Sequence, residues 1–141
     1  MTAQPPIILL VDDDPDALII LRRLLHSCAH SYEIVAVESG VEALALTAVR
    51  PVALVITDYF MPGMNGVQLA GAIKQASPAT RVAIVTAYDA HDVARRAKDV
   101  AADYVLPKPF VLAQLKQMIE ESIPSMERAE ESPAPKPLGS L

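Results

Sequence analysis

Three aspartates in a row, Asp12-Asp13-Asp14, follow a short apolar run. A fourth, Asp58, closes another such run behind Thr57. Further along, Thr86 and Lys108 end two more runs, in Thr86-Ala87 and Pro107-Lys108-Pro109. If these ends converge, carboxylates, a hydroxyl and an ammonium meet at one place. Two carboxylates about 4 Å apart repel by about 4 kcal/mol at an effective dielectric near 20. A cluster of this kind therefore needs a cation, or a proton on one of its members. Oxygen ligands without nitrogen or thiolate select a hard ion, and Mg²⁺ is the usual choice where phosphate is handled. A carboxylate beside such an ion is a nucleophile toward phosphorus. Lys108 then spreads the charge of a transferring phosphoryl group, and Thr86 donates a hydrogen bond to one of its oxygens.

The elements that position these residues are legible in the apolar pattern. Five runs, Ile7–Val11, Ile34–Val37, Val52–Ile56, Val82–Val85 and Tyr104–Leu106, are mostly continuous rather than alternating. That is the signature of strands buried on both faces of a parallel sheet. Amphipathic stretches separate them. Leu18, Leu21, Leu25 and Cys28 recur at helical spacing behind Asp14-Pro15, a cap followed by a first-turn proline. A second helix is expected from about Val41 to Val49, ending before Pro51. The stripes Leu69, Ile73, Ala76, then Val93, Ala97, Val100, then Leu112, Leu115, Ile119, Ile123 mark three more. Strand and helix alternate five times, which predicts a doubly wound α/β fold with right-handed crossovers and helices on both faces of the sheet. In such sheets ligands bind beyond the carboxyl ends of the strands, the place where the polar residues fall.

Composition agrees. The 141 residues are 52% apolar and 21% charged, enough to bury a core without disulfides or a structural metal. Aromatics make up only 4% and Trp is absent, so the core rests on Ala, Val, Ile and Leu. A net charge of −5 gives no clustered basic surface for nucleic acid. Neither a signal peptide nor a membrane span is visible, and a soluble cytoplasmic protein is expected. Cys28 has no partner for an internal disulfide and reads as a buried structural thiol. His26, His30 and His91 lack metal-ligand spacing and read as surface residues; Arg95, Arg96 and Lys98 read as a solvated helix face. Residues 124–141, with four prolines and three glutamates, are expected to form a disordered tail after one domain spanning 6–123.

The segments Ile-Leu-Leu-Val-Asp-Asp-Asp-Pro (8–15), Val-Ile-Thr-Asp-Tyr-Phe-Met-Pro-Gly-Met-Asn-Gly (55–66), Ile-Val-Thr-Ala (84–87) and Lys-Pro-Phe (108–110) carry a resemblance. In their order, and with 28 residues from Asp58 to Thr86 and 22 from Thr86 to Lys108, the chain from about residue 6 to 122 resembles the CheY-like receiver domain of two-component response regulators. The resemblance implies a flavodoxin-like five-stranded sheet of order 2-1-3-4-5. It implies that Asp58 accepts phosphate from the phosphohistidine of a histidine kinase or a histidine phosphotransfer protein. Asp13 then ligates Mg²⁺ directly, Asp12 through water, and Asp58 and the Phe60 backbone carbonyl complete the protein's set. Thr86 matches the switch hydroxyl and Lys108 the lysine that pairs with the phosphoryl group. Pro109 matches a proline preceded by a cis bond, and Gly63 and Gly66 match a tight loop where glycine permits positive φ. The helix 4–strand 5–helix 5 face is where the family docks partners or dimerises.

One position departs from the pattern. Three residues before the lysine the family carries an aromatic or histidine; here Val105 stands there and Tyr104 precedes it. A one-residue step along a strand reverses the face. Output through Tyr88 and His91, in the segment after Thr86, is the expected alternative. Other functions compatible with the residues are a haloacid-dehalogenase-like phosphatase using Asp12 and Asp14 at D-x-D spacing, a receiver-like module that works without phosphate, and the receiver part of a longer regulator. In the favoured reading the chain modifies only itself and turns over no external substrate.

Overall fold

The computed structural model describes residues 5–28, 31–109 and 111–123. His30, Phe110 and the expected tail at 124–141 lie outside the described residues. The chain alternates β1 (Ile7–Val11), α1 (Pro15–His26), β2 (Glu33–Val37), α2 (Gly40–Val49), β3 (Leu54–Asp58), α3 (Gly66–Ala76), β4 (Arg81–Thr86), α4 (Ala90–Asp99), β5 (Tyr104–Pro107) and α5 (Leu112–Ser122). The sheet is parallel throughout, in the order β2-β1-β3-β4-β5. This is the expected doubly wound architecture.

Successive strand side chains point to opposite faces, and both faces are covered. Ile7, Leu9 and Val11 of β1 pack with Leu69 and Ile73 of α3 and Val93 of α4, in a layer that also takes Ala43 of α2. Ile8 and Leu10 face the other way, onto Leu18, Leu21 and Leu25 of α1 and Leu115 and Ile119 of α5. Burial on both sides explains why the strands read as unbroken apolar runs.

Local chemistry sets the helix starts. The Asp14 carboxylate accepts the Asp16 N–H and Pro15 opens α1. Ser39 caps α2, and Asn65 with Gln68 forms a reciprocal capping box on α3. At the amino ends of the strands a polar clasp joins several elements. Thr80 Oγ1 donates to the Val52 carbonyl at 2.7 Å, and Lys74 Nζ donates to the Thr80 carbonyl at 2.9 Å and pairs with Asp103 at 2.8 Å. Asp103 also accepts the Val82 N–H at 2.8 Å.

Some expectations shift. β3 begins at Leu54 rather than Val52, because its ladder with β1 begins at Leu54 opposite Ile8 and the Val52 carbonyl is taken by Thr80. Ala76 and Leu112 are exposed, at the last turn of α3 and the first of α5, where the stripes run off the sheet; Ala70 and Met118 are buried in their helices instead. Cys28 is only partly buried, just past the end of α1, and its thiol donates to the Leu24 carbonyl at 3.3 Å. His26 and His91 are exposed, as are Arg95, Arg96 and Lys98, with both arginines paired to Asp92.

Candidate functional site

Parallel pairing brings every strand's carboxyl end to one rim. β1 delivers Asp12, whose N–H donates to the Val37 carbonyl at 3.2 Å, so the ladder with β2 is continued by one residue before the chain turns. The Asp12 carboxylate accepts the Asp14 N–H at 2.9 Å, which fixes its direction as the chain leaves the sheet. β3 ends on Asp58. The next residue, Tyr59, donates its N–H to the Val85 carbonyl at 2.8 Å, tying that end to β4. β4 ends on buried Thr86, and the Lys108 N–H donates to the Thr86 carbonyl at 2.9 Å. The Lys108–Pro109 peptide bond is cis, as expected.

The loop after Asp58 depends on two glycines for different reasons. Gly63 has φ 82°, in the region glycine enters without steric cost. Gly66, expected to serve the same purpose, instead allows a close approach. A Cβ there would stand 2.6 Å from the Asp58 carbonyl oxygen and 3.0 Å from Tyr59 Cα, both backbone atoms. Its N–H donates to the Tyr59 carbonyl at 2.8 Å, which folds α3 back against the end of β3.

The predicted residues meet. Carboxylate oxygens of Asp12, Asp13 and Asp58 lie within 4.8 Å of one another. Lys108 Nζ stands 3.0 Å from Asp58 Oδ1 and 3.7 Å from Asp12 Oδ2. Three carboxylates against one ammonium leave an excess of two negative charges. Burial pushes the Asp12 carboxyl above the ordinary carboxylate range. Asp58 and Asp13 push it further up, while the Asp14 N–H and Lys108 pull it down. The set is all oxygen and under-neutralised, which fits a hard divalent cation. Asp13 is exposed and Asp12 almost fully buried, so such an ion would sit between solvent and the sheet edge.

Asp58, Thr86 and Lys108 line a single cleft of about 260 Å³ with Phe60, Ala87 and Tyr88. Thr86 Oγ1 accepts the Tyr88 N–H at 2.9 Å. The Phe60 and Tyr88 rings, both from the cleft lining, lie with centroids 6.1 Å apart and tilted by 57°, and the Tyr59 ring is centred 6.0 Å from that of Phe60. This aromatic cluster was not anticipated as a unit, although Phe60 and Tyr88 each follow a rim residue by two places. Val105 packs toward the α4 layer, whereas Tyr104 faces α1 and α5 and donates its hydroxyl to Glu121 at 2.7 Å. The one-residue step thus reverses the face, as expected.

The comparisons agree with this geometry. A family model described as the response regulator receiver domain matches residues 8–120. The chain belongs to that family. Among curated proteins it is similar to the transcriptional regulatory protein GlrR of Escherichia coli, 36% identical over 123 residues, which cover 87% of this chain and 27% of that protein. It is also similar to the response regulator protein FleR of Pseudomonas aeruginosa, 41% identical over 113 residues, 79% of this chain and 23% of that one. This receiver chain thus spans about a quarter of the length of those relatives. Among solved structures, the signal receiver domain of an HD domain-containing protein from Pseudomonas fluorescens superimposes with a TM-score of 0.79 at 26% identity, covering 93% of this chain and 94% of that one. The response regulator TrrA of Thermotoga maritima, solved in complex with Mg(2+)-BeF, gives a TM-score of 0.73 at 31% identity, covering 84% and 99%. Membership in the receiver family displaces the phosphatase reading, and Asp14 is occupied as the cap of α1. Among the described residues, no helix is long and apolar enough to cross a membrane.

Proposed function

We propose that this receiver is a phosphorylation-controlled switch in which Asp58 accepts a phosphoryl group from the phosphohistidine of a histidine kinase or histidine phosphotransfer protein. The observation that carries the reading is the placement of Lys108 Nζ 3.0 Å from Asp58 Oδ1, inside a cluster whose three carboxylates lie within 4.8 Å. An Asp58 carboxylate oxygen attacks phosphorus and the phosphorus–nitrogen bond breaks. Its electron pair returns to the imidazole, and Asp58 becomes an acyl phosphate. Asp12, Asp13, Asp58 and the Phe60 carbonyl would hold Mg²⁺. When bound, the ion supplies positive charge to the phosphoryl oxygens. Lys108 supplies the same from the protein side, and its N–H bond to Thr86 keeps the lysine and the switch hydroxyl in register. Thr86, closed off from solvent, donates to a phosphoryl oxygen rather than to water.

The chain acts in the cytoplasm, modifies only itself, and passes its state to a protein partner or to a second copy through the face formed by α4, β5 and α5. A second reading has a specific basis: the region matched makes up only 27% of GlrR and 23% of FleR, which supports reading this chain as the receiver part of a longer regulator. The two readings share the same chemistry at Asp58. Incubation with acetyl phosphate or a phosphorylated kinase should label the wild type only with Mg²⁺ present, and Asp58→Asn should remove the label. Labelling that survives Asp58→Asn, or proceeds equally in excess chelator, would refute the assignment.

A further inference from the structure

We infer that Thr86 transmits the phosphorylated state through the Tyr88 backbone N–H to the surface aromatic pair Tyr88–Phe60, in place of an aromatic on β5. The inference rests on Asp58 being the phosphoacceptor. Thr86 is 2% exposed, and its Oγ1 accepts the Tyr88 N–H at 2.9 Å. A hydroxyl accepts and donates at once, so Oγ1 can turn its hydrogen to a phosphoryl oxygen on Asp58 while still holding Tyr88. Any displacement of Oγ1 toward the phosphoryl group is then passed to the backbone two residues on. Tyr88 is 64% exposed and its ring touches that of Phe60, itself 71% exposed and two residues beyond Asp58. Each ring is therefore tethered to a residue that the phosphoryl group engages, Tyr88 to Thr86 and Phe60 to Asp58.

The β5 route has no comparable handle. Val105, opposite Ile84 in the ladder, has no polar atom in its side chain. Tyr104 faces away and is held by Glu121 and by Arg81, whose guanidinium donates to the Tyr104 hydroxyl at 3.4 Å. Past Tyr88 the next residue, Asp89, caps α4 by accepting the His91 and Asp92 N–H groups at 3.0 and 3.2 Å. A shift at Tyr88 is thereby carried into the first turn of α4, and the tilt between the Tyr88 and Phe60 rings is its surface readout.

The chain has four tyrosines, Tyr32, Tyr59, Tyr88 and Tyr104, and no tryptophan. Incorporating 3-fluorotyrosine into the full chain gives each a ¹⁹F resonance, assigned through Tyr→Phe variants. Mg²⁺ with beryllofluoride serves as the phosphoryl mimic, and its bound ¹⁹F signal reads occupancy in the same spectrum. The expected result is a Tyr88 resonance displaced by more than its linewidth, a smaller change at Tyr59, and none at Tyr104 or Tyr32. Per unit occupancy, the Tyr88 displacement should be lost in Thr86→Val, which keeps the volume but has no hydroxyl, and recovered in Thr86→Ser. A Tyr88 displacement of equal size in Thr86→Val would mean that the ring senses only the field of the anion, and overturns the inference. So would a response confined to Tyr104. If the mimic occupies Asp58 and Tyr88 stays silent, the transmission route fails while the phosphoacceptor stands; if no occupancy or labelling at Asp58 is found, both fail.

Discussion

Replacing Asp12 by asparagine should stabilise the metal-free protein and weaken it relative to wild type when Mg²⁺ is abundant. Asp12 lies within 4.8 Å of both Asp13 and Asp58 and 3.7 Å from Lys108 Nζ. At an effective dielectric near 20, each carboxylate pair at that separation costs about 3.5 kcal/mol, and the lysine returns about 4.5 kcal/mol. The balance against the charged Asp12 is about 2.5 kcal/mol, and screening at the solvent-facing Asp13 reduces it to about 1–2 kcal/mol. Asparagine keeps an oxygen to accept the Asp14 N–H, so the turn into α1 survives. For a domain of this size that gain raises the melting temperature by about 4–8 °C in chelator. Mg²⁺ at a hundredfold excess over its Kd then adds about 2.7 kcal/mol to the wild type, and much less to the variant. Thermal unfolding of both proteins in chelator and across a Mg²⁺ titration measures the crossing. An Asp12→Asn protein that is less stable in chelator, or that gains as much from Mg²⁺ as the wild type, would refute the electrostatic account of the site.

The same carboxyl sets a pH dependence. Because its folded pKa is raised, its contribution to stability is fully present below the ordinary value of about 3.9 and is lost as pH rises through the raised one. The advantage of Asp12→Asn in chelator should therefore shrink on acidification toward that range, as read by denaturant midpoints at several pH values. Gly66→Ala places a methyl group 2.6 Å from the Asp58 carbonyl oxygen, a backbone atom that cannot swing away. It should cost about 1–3 kcal/mol in urea unfolding and slow labelling of Asp58. Ala101 holds φ 61° between α4 and β5. Ala101→Gly should raise stability by about 0.5 kcal/mol, since relief of a left-handed alanine, about 1–2 kcal/mol, slightly exceeds the entropic cost of glycine.

Much of this was legible in the sequence because the fold is built from strong, redundant signals. A strand buried on both faces can only be written in apolar residues, so Ile7–Val11 and Val82–Val85 announce themselves, and the polar residue that ends each one marks the rim. The convergence of Asp12, Asp58, Thr86 and Lys108 follows from parallel pairing alone. What was not legible depends on three-dimensional detail that leaves no period in the chain. Gly66 looks like a turn glycine until the Asp58 carbonyl is seen beneath it. Ala76 and Leu112 sit in register with their stripes but past the edge of what the sheet covers. The Phe60–Tyr88 contact joins residues 28 apart that share only their offset from a strand end.

The clasp built from Thr80, Lys74 and Asp103 lies at the opposite end of the strands from the carboxylate cluster. Five residues of strand put roughly 17 Å between them. At that distance, with no shared partner, their energetic effects add to within about 0.3–0.5 kcal/mol. The two ends are therefore separable in evolution and in engineering. Substitutions at the clasp can restore stability lost at the charged rim without retuning its chemistry. The rim in turn can accumulate repulsive charge, as a switch requires, while the far end of the sheet keeps the domain folded.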